Sequence, residues 1–534
     1  MFGAQVVNFV KIAFNHIHNA NMKNWQGVSM CSALNVSYTV SLLFSEYFPC
    51  ITLPLKDYFC SPIIKTMYQI KFGTDGWRAI IAKDFTVENV ARLSEGTAIW
   101  LKKNFDKPTV VLGHDCRFAG ELFCETVAKV LCHNGIKVFL AKDFVSTPMI
   151  SLGTSTRNAS IGIIITASHN PPSYNGFKLK AGYGGPLTPE KTSEIEPLIT
   201  EKSTTPLDDL KLEDFVAKGL LEWINLEDEY VAHVEKNFDL EAIRNSKLNL
   251  AYDAMYGAGQ NVMRRLFPDI TFLHCDNNPG FDGQAPEPIL RNLQEFADVI
   301  KVSGDIDSGL VTDGDADRIG LFDDKGNFVD SHHIILLLIH YLAKYKKQTG
   351  KVCTAFSTTV KIKKMCAHYG LELEVVKIGF KYICGIMVKE DVLVGGEESG
   401  GIAIKGHIPE RDGIWMGIVL WEFMAKSGKS LRELIAEVYE ITGPFAFERV
   451  DLHLEEAVKL KVVENCKAGK YTAFGKYKVI RMEDLDGWKY FISEDSWIMI
   501  RASGTEPVLR TYAEAATSEE AFAMLAAAKK TLLG

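Results

Sequence analysis

The side chains with the clearest chemical potential lie in two short motifs. Residues 166–171 read T-A-S-H-N-P, which places the hydroxyl of Ser168 directly after an apolar segment, residues 161–165. Residues 313–318 read D-G-D-A-D-R, so three carboxylates fall within five positions beside an arginine. A serine that carries a phosphoryl group needs a divalent cation to neutralise the phosphate oxygens, and carboxylates supply ligands for that cation. The two motifs together indicate phosphoryl transfer.

The aspartate motif predicts a Mg²⁺ site. Asp313, Asp315 and Asp317 alternate, so in a tight loop their carboxylates can converge on one cation. A calcium-binding EF-hand is a poor alternative, because its glycine at position six is Arg318 here and its glutamate at position twelve is Asp324. The other alternative is an acidic surface turn, in which three converging carboxylates would repel one another.

Ser168 has two other interpretations. A serine hydrolase would require a G-x-S-x-G turn, whereas the sequence here is T-A-S-H-N. When a motif of this kind stands alone, it can also be a structural turn that is capped by Asn170 and ended by a proline. Downstream, Gly176 permits a tight turn, after which Lys178 could reach an oxygen bound at Ser168. A nucleophile on a loop after a strand is typical of catalysis in α/β domains.

A third motif, at residues 395–401, reads G-G-E-E-S-G-G and follows a short apolar strand. Glu397 and Ser399 stand two positions apart, so they could bind two neighbouring sugar hydroxyls. A glycine-flanked acidic loop without a ligand is the alternative.

A fourth motif begins at Arg501 and reads R-A-S-G-T-E-P. Ser503, Thr505 and the backbone N–H groups around Gly504 can form an anion-binding nest. Arg501 and Arg510 can add charge-assisted hydrogen bonds. The alternative is an ordinary turn with two solvated arginines. With this loop, the set of motifs indicates a sugar phosphate as the substrate.

Size and composition exclude several classes of protein. A chain of 534 residues with 47% apolar and 24% charged residues is typical of a globular protein with several domains. A net charge of −8 argues against a nucleic-acid partner or an anionic membrane. The eleven cysteines are scattered without zinc-site spacing, which predicts reduced thiols and a cytoplasmic location. There is neither a Walker A loop nor a G-x-G-x-x-G fingerprint.

Residues 1–66 differ from the rest of the chain. They contain six charged residues and have no clear helical or strand period. They lack the layout of a signal peptide, and their apolar stretches are too short to span a bilayer. Because Met67 stands just before the first well-defined sequence motif, we expect the functional protein to begin at this residue. Residues 1–66 would then be an upstream translation artefact or a dispensable extension.

From residue 67 onward, short apolar segments alternate with amphipathic ones, which predicts α/β domains with parallel or mixed sheets covered by helices. The main predicted strands are residues 109–112, 137–141, 161–165, 248–253, 270–274, 310–312, 352–355, 373–376 and 392–394, and the main predicted helices are residues 121–131, 334–345 and 360–369. An Asp-Lys-Gly turn at residues 324–326 predicts a hairpin. The predicted domain boundaries give residues 1–66, 67–210, 211–330, 331–442 and 443–534.

In this order, the four loops resemble those of the α-D-phosphohexomutase superfamily. The resemblance runs from residue 68 to the C-terminus and includes F-G-T-D-G-W-R at residues 72–78 and G-H-D-C-R-F at residues 113–118. It implies an α/β fold of four domains around a central cleft: three related α/β domains and a smaller α+β domain that closes over the substrate. It also implies an intramolecular phosphotransferase of the isomerase class that uses Mg²⁺ and a sugar bisphosphate intermediate.

The resemblance assigns roles to individual positions. The expected metal ligands are Asp313, Asp315, Asp317 and Ser168, the last as a phosphoserine. Expected charge stabilisers and proton-transfer groups are Arg78, His169 and Lys178, and Arg318 is expected to support the phosphoserine site. Expected sugar contacts are Gly379, Lys381, Glu397, Ser399, His407 and Arg411, with His407 alternatively an acid/base group. The residues expected to bind the non-reacting phosphate are Arg501, Ser503, Gly504, Thr505 and Arg510.

The identity of the sugar rests on two further positions. Family branches with mannose and glucose dual specificity often have a histidine two residues after the serine of the sugar loop, and here that position is Gly401. Residues 406–413 read G-H-I-P-E-R-D-G and resemble the loop of glucose-type members. We therefore expect a phosphoglucomutase with glucose 1,6-bisphosphate as its intermediate. A phosphomannomutase is the second expectation and a phosphoglucosamine mutase the third; a non-catalytic sugar-phosphate-binding homologue or a phosphatase is a more distant alternative.

Overall fold

The computed structural model describes residues 68–73, 75–502 and 508–534. Residues 67–534 form one compact unit, and the predicted extension over residues 1–66 lies outside the described part of the chain. Among the described residues, no helix combines the length and the apolar composition needed to cross a membrane. The eight cysteines of this part are all buried and free of disulfide bonds.

The first sheet has six strands in the order β1-β5-β4-β2-β3-β6. Its strands are β1 (Trp77–Ile80), β2 (Thr109–His114), β3 (Lys137–Ala141), β4 (Ile161–Ile165), β5 (Tyr174–Ala181) and β6 (Leu221–Ile224). Its helices are α1 (Val87–Asn104), α2 (Gly120–His133), α3 (Thr147–Thr156), α4 (Pro189–Ile195) and α5 (Leu212–Ala217), with 3₁₀ turns at Glu196–Leu198 and Leu207–Asp209. The isoleucines of β4 pack into cores on both faces of the sheet, which explains its unbroken apolar sequence.

The second sheet has five strands in the order β11-β10-β9-β7-β8. Its strands are β7 (Leu250–Asp253), β8 (Thr271–Leu273), β9 (Ser308–Thr312), β10 (Ile319–Phe322) and β11 (Phe328–Val329). Its helices are α6 (Leu226–Asn237), α7 (Leu240–Arg244), α8 (Gln260–Leu266) and α9 (Gln294–Ser303), with 3₁₀ turns at Phe281–Gly283 and Leu290–Asn292. The predicted hairpin is confirmed, because β10 and β11 pair antiparallel around the Asp-Lys-Gly turn.

The third sheet has four strands in the order β13-β12-β14-β15. Its strands are β12 (Lys351–Ala355), β13 (Leu373–Val376), β14 (Val392–Gly396) and β15 (Ile402–Ile404). Its helices are α10 (Ser331–His340), which continues into a π-helical turn at Tyr341–Tyr345, α11 (Lys361–Tyr369), α12 (Phe380–Met387), α13 (Gly413–Ser427) and α14 (Leu431–Thr442). Helix α13 is buried along most of its length and contributes to the largest core.

These three sheets repeat one topology. Each contains four strands in which the first three in chain order are parallel and the fourth returns antiparallel beside the third: β5-β4-β2-β3, β10-β9-β7-β8 and β15-β14-β12-β13. The loop between the third and fourth strands carries the serine motif in the first sheet, the aspartate motif in the second and the G-G-E-E-S-G-G motif in the third. The three loops therefore occupy equivalent positions of a repeated fold.

The C-terminal part is an antiparallel sheet in the order β16-β22-β21-β20-β19, beside a small hairpin formed by β17 and β18. The strands are β16 (Ala446–His453), β17 (Ala473–Phe474), β18 (Tyr477–Lys478), β19 (Arg481–Glu483), β20 (Trp488–Phe491), β21 (Trp497–Ala502) and β22 (Val508–Ala515). Its helices are α15 (Glu456–Lys467) and α16 (Ser518–Leu533). Thr517 caps α16, since its side chain accepts a hydrogen bond from the N–H of Glu520.

One local prediction is wrong. The turn expected at Gly176 is part of β5, where Gly176 pairs with Arg78 of β1. A Cβ atom on Gly176 would lie 2.4 Å from the carbonyl oxygen of Thr166. The glycine is thus required by the close approach of two backbones rather than by a change of chain direction.

Candidate active site

Ser168 lies in the loop between β4 and β5 and has a left-handed backbone conformation, with φ at 51°. Its N–H donates to Thr166 Oγ1 at 2.9 Å, and Thr166 Oγ1 donates to Asp115 Oδ2 at 2.5 Å. Ser168 Oγ donates to Asp313 Oδ2 at 2.6 Å. This last bond places the hydroxyl of the first sheet's loop directly against the aspartate loop of the second sheet. Left-handed non-glycine residues are uncommon and often occur at functional sites.

Arg117 fixes the backbone of the serine loop. Its two terminal nitrogens donate to four carbonyl oxygens of the loop, those of Ser168, Asn170, Pro171 and Tyr174. Arg117 is buried, with Asp115 at 3.4 Å and the ring of Phe281 under its guanidinium. Sequence reasoning missed this role, because it depends on how the loop folds around the side chain. The only available signal was the arginine of the G-H-D-C-R-F motif.

The three aspartates of the β9–β10 loop are fully buried and lie together. Each offers one carboxylate oxygen, and these oxygens lie within 4.8 Å of one another. Asp313 Oδ1 accepts hydrogen bonds from the N–H groups of Asp317 and Arg318 at 3.0 and 3.1 Å, which tightens the loop. Burial and the neighbouring carboxylates of Asp315 and Asp317 raise the pKa of Asp313 well above its usual range.

The aspartate cluster fits a hard divalent cation. Among the described residues, Asp315 Oδ1 and Asp317 Oδ1 are buried without a hydrogen-bond partner. A buried, unpaired carboxylate oxygen is energetically costly, so a missing partner is expected there. Three converging carboxylates beside a serine oxygen are the donor set that such a cation requires. Asp313, Asp315 and Asp317 would hold the ion.

Lys178 closes the opposite side of the cluster from β5, where its side chain is fully buried. Its Nζ lies 2.7 Å from Asp315 Oδ2, 3.2 Å from Asp317 Oδ2 and 2.9 Å from Asp75 Oδ2. Burial alone lowers the pKa of the ammonium group, but these carboxylates outweigh it and raise the pKa of Lys178 above its usual value. Lys178 therefore remains a cation and is a poor proton acceptor.

Arg411, an expected sugar contact, takes part in this charged cluster. One guanidinium nitrogen, Nη2, lies 2.6 Å from Asp75 and 2.8 Å from Asp317. Its Nε lies 3.2 Å from Glu410, whose other oxygen lies 2.6 Å from Lys180. Asp75 was not among the predicted site residues, although it belongs to the F-G-T-D-G-W-R motif. Asp75, Asp317 and Arg411 come from the first, second and third α/β regions, so side chains of all three regions meet in this cluster.

His169 and Arg78, the other expected charge stabilisers and proton-transfer groups, and Arg318, expected to support the phosphoserine site, lie at or beside the serine and aspartate loops. His169 Nδ1 lies 3.3 Å from Ser168 Oγ. Burial and the cationic groups of Arg318, Arg78 and Lys178 lower the pKa of His169 well below its usual value, so its ring is neutral. Arg78 donates to Asn170 Oδ1 at 2.6 Å. Arg318 lies 3.8 Å from Glu287, and its buried Nε has no hydrogen-bond partner in the described part of the chain.

Four of the predicted sugar contacts lie in two places of the third domain: Glu397 and Ser399 in the loop between β14 and β15, and Gly379 and Lys381 at the start of α12. Glu397 Oε1 accepts a hydrogen bond from the N–H of Gly379 at 2.7 Å, and Ser399 is half-buried in the same loop as Glu397. Burial and the adjacent Glu398 carboxylate raise the pKa of Glu397 to about 7. Lys381, on α12, lines a small pocket that also borders Asp75. The structure thus brings Gly379 and Glu397 into direct contact.

The predicted phosphate loop is described only at its flanks. Arg501 and Arg510 are directly opposite each other on β21 and β22. Like charges in that position destabilise a sheet unless acidic groups or an anion offset them. Ser503, Gly504 and Thr505 lie outside the described residues.

His407 is not available as a sugar contact in this structure. Its ring stacks on Trp415 with centroids 3.8 Å apart, and its side chain is fully buried. Nε2 lies 2.9 Å from Asp412 Oδ2, and Nδ1 lies 3.3 Å from His233 Nε2. Both ring nitrogens are therefore engaged inside the protein, which the sequence motif could not reveal.

Models of known families match the chain in four consecutive parts. They are the phosphoglucomutase/phosphomannomutase alpha/beta/alpha domains I, II and III, at residues 69–206, 228–326 and 330–441, and the C-terminal domain, at residues 460–530. The chain belongs to the phosphoglucomutase/phosphomannomutase family. The resemblance inferred from the four loops and the fold class are thereby confirmed, and the enzyme is a phosphohexomutase of the isomerase class.

Individual family members are related over most of the chain. A phosphoglucomutase/phosphomannomutase of Thermococcus kodakarensis is 28% identical over 84% of this chain and 95% of its own length. A phosphoglucosamine mutase of Carboxydothermus hydrogenoformans is 28% identical over 84% and 96%. The solved structure of a provisionally assigned phosphomannomutase from Thermus thermophilus is 31% identical, with a TM-score of 0.77, and covers 88% of this chain and 100% of its own. These relatives support the class of reaction without fixing the sugar.

Proposed function

We propose that this phosphohexomutase interconverts α-D-glucose 1-phosphate and glucose 6-phosphate through a phosphoserine at Ser168 and a glucose 1,6-bisphosphate intermediate. The hydrogen bond of 2.6 Å from Ser168 Oγ to Asp313 Oδ2 carries the proposal. It places a hydroxyl that can bear a phosphoryl group against a buried carboxylate cluster with two unpaired oxygens. A Mg²⁺ ion bound there would neutralise negative charge on the phosphoryl oxygens.

In the first half-reaction, the free hydroxyl of the hexose 1-phosphate attacks the phosphorus atom of phosphoserine 168. A new bond forms between that oxygen and phosphorus, the bond between phosphorus and Ser168 Oγ breaks, and the proton of the attacking hydroxyl passes to the released Ser168 Oγ. Neutral His169, 3.3 Å from Ser168 Oγ, is placed to take part in this proton transfer. Lys178 and Arg78 stabilise the charge on the transferring group as cations.

In the second half-reaction, the bisphosphorylated hexose presents its other phosphate to Ser168. Ser168 Oγ attacks that phosphorus atom, and hexose 6-phosphate leaves with the released oxygen protonated. The phosphate that does not react must be held at a second site in each orientation of the sugar. Arg501 and Arg510 on adjacent strands suit this role, because an anion would offset their mutual repulsion.

The preference for glucose rests on the sugar loop. Gly401 occupies the position at which a histidine accompanies dual mannose and glucose specificity. In the structure a Cβ atom on Gly401 would lie 2.5 Å from Arg411 Cδ. Because Arg411 is held by Asp75 and Asp317, a histidine at this position would require the Arg411 side chain to move against these ion pairs. The packing of Arg411 against Gly401 therefore favours glycine over histidine at this position of the sugar loop.

The test is coupled turnover of α-glucose 1-phosphate with Mg²⁺ and trace glucose 1,6-bisphosphate. Wild type is compared with Ser168→Ala and with Ser173→Ala, which alters an exposed hydroxyl of the same loop. We expect rapid turnover in wild type and Ser173→Ala, and none above background in Ser168→Ala. Equal activity in all three proteins would overturn the proposed nucleophile.

Glucosamine phosphate is the second candidate, because several related proteins are named phosphoglucosamine mutase. Parallel assays with the 1-phosphates of glucose, mannose and glucosamine rank the three sugars by kcat/KM. Glucose is expected to rank first. A higher kcat/KM for either of the other sugars would keep the mechanism and change the substrate.

A further inference from the structure

Asp486 contacts two loops that belong to different domains. It lies in the turn between β19 and β20 of the C-terminal domain. Its Oδ2 accepts a hydrogen bond from the N–H of Ile378 in the third domain at 2.9 Å. Its Oδ1 accepts a hydrogen bond from Nε of Arg501 at 3.3 Å. One carboxylate thus connects the loop before α12 with an arginine of the expected phosphate site.

The hydrogen-bonded path continues to the sugar loop. The N–H of Gly379, the residue after Ile378, donates to Glu397 Oε1 at 2.7 Å. Gly379 has φ at 130°, a conformation that favours glycine. Glu397 and Arg501 are therefore linked through two adjacent backbone N–H groups and the carboxylate of Asp486.

The turn that carries Asp486 is held tightly against β21. A Cβ atom on Gly487 would lie 2.7 Å from the carbonyl oxygen of Ile500 and 3.2 Å from Arg501 Cβ. Because the turn and the arginine pack this closely, a displacement of one displaces the other. The carboxylate also offsets part of the repulsion between Arg501 and Arg510 across the two strands.

We infer that Asp486 is a positioning residue that couples hexose recognition at Glu397 to phosphate binding at Arg501. The inference rests on the proposed function, which supplies the roles of these two residues. A sugar bound at Glu397 fixes the Gly379 loop, and the bond from Ile378 to Asp486 then holds Arg501 in its phosphate-binding orientation. Asp486 itself touches neither the sugar nor the reacting phosphate.

A double-mutant cycle tests this coupling. The kcat/KM for α-glucose 1-phosphate is measured for wild type, Asp486→Ala, Glu397→Gln and the double variant. Residues that act through one network are non-additive, typically by factors from two to more than a hundred. We expect Asp486→Ala to lower kcat/KM about tenfold, mostly through a higher KM. The loss of kcat/KM in the double variant should be smaller than the product of the two single losses, by roughly fivefold or more.

Asp495 supplies the matched control. It also joins the C-terminal domain to the third domain, through Lys361 at 3.2 Å and Lys364 at 2.7 Å. Neither partner belongs to the sugar loop or the phosphate loop. In the cycle of Asp495→Asn with Glu397→Gln, the losses should multiply within a factor of about two, as for independent sites.

If the losses of kcat/KM in the Asp486 cycle simply multiply, the coupling is overturned. The proposed mutase reaction is not affected by that result. If Asp486→Ala does not fold, the cycle is run with Asp486→Asn, which keeps an acceptor for Ile378 and should show a smaller non-multiplicative effect. If wild type turns over no hexose phosphate, the proposed function fails separately. The same four proteins are then compared by calorimetric binding of α-glucose 1-phosphate, where multiplicative affinities would overturn the inference.

Discussion

At the scale of single residues, the site separates groups that carry charge from a group that can move a proton. His169 lies beside Ser168, whereas Lys178 contacts the aspartate cluster that Ser168 also contacts, and the sequence offered each as a charge stabiliser or proton-transfer group. Three carboxylates around Lys178 keep it protonated, whereas burial and neighbouring cations keep His169 neutral. This division could not be predicted from the sequence, because it depends on which partners the fold places within about 3 Å.

Replacement of Lys178 by methionine should impair both stability and turnover. The substitution leaves Asp75, Asp315 and Asp317 without their shared cation, and breaking a buried ion pair typically costs about 3–5 kcal/mol. Denaturant unfolding in EDTA measures the loss, which added Mg²⁺ should reduce. Lys344→Met, at a half-exposed lysine paired with Glu437, is the control and should change the free energy of unfolding by about 1 kcal/mol or less. Equal small losses in both variants would contradict the assignment.

The pKa of Glu397 predicts how catalytic efficiency depends on pH. With its pKa raised to about 7, the carboxylate becomes protonated below neutral pH and no longer accepts hydrogen bonds from sugar hydroxyls in the same way. The kcat/KM should therefore fall below pH 7, approaching tenfold per pH unit. The fold is not weakened by this group in acid, because a raised carboxyl pKa means that the folded state binds the proton more tightly than the unfolded state.

The control for this pH profile is Glu397→Gln, which has no carboxyl group to titrate. Its kcat/KM should be lower at pH 8 and should lack most of the decline between pH 7 and pH 6 seen in wild type. An identical decline in both proteins would assign the titration to another group.

At the scale of elements, the serine, aspartate and sugar loops are the same hairpin connection of a repeated four-strand unit. The sequence predicted β3, β4 and β13 with both ends correct, since short apolar runs between turns are a strong local signal. It showed no repeat, because the three copies share a topology without a sequence period. The expectation for Gly176 failed for a related reason: strand pairing with β1 is a non-local property.

The serine loop depends on Arg117, whose forked guanidinium matches four carbonyl oxygens. Arg117→Lys retains the charge and loses the fork, so the loop should hold Ser168 less accurately. We expect kcat to fall by about 10²-fold with a smaller change in KM, because misplacing a reacting group by about 1 Å has that effect. Arg244→Lys, at an exposed arginine paired with Glu241, should leave kcat unchanged. Unchanged kcat in Arg117→Lys would show that the loop is held by other contacts.

At the scale of the whole molecule, residues 67–534 form one compact unit and contain all four family matches. We therefore predict that a chain beginning at Met67 retains kcat/KM within a factor of about two, because domains with their own cores fold alone. Its melting temperature should match that of the full chain. Loss of activity or solubility in the shortened chain would show that residues 1–66 are needed.

The assembled cluster also predicts that Mg²⁺ stabilises the folded protein. A ligand that binds only the native state adds about 2.7 kcal/mol at a concentration one hundred times its dissociation constant. Thermal unfolding in EDTA and in increasing Mg²⁺ should show a rise in Tm that saturates. Asp315→Asn should shift that rise to higher Mg²⁺ concentrations, whereas an equal rise in both proteins would place the ion elsewhere.

We propose that Ser168 carries the phosphoryl group between the two positions of the sugar. The most direct measurement is incubation with glucose 1,6-bisphosphate labelled in both phosphates, followed by peptide mapping and a chase with unlabelled glucose 1-phosphate. We expect label on Ser168 that the chase returns to the sugar, with little inorganic phosphate released. Label on another residue, or its release as inorganic phosphate, would contradict it.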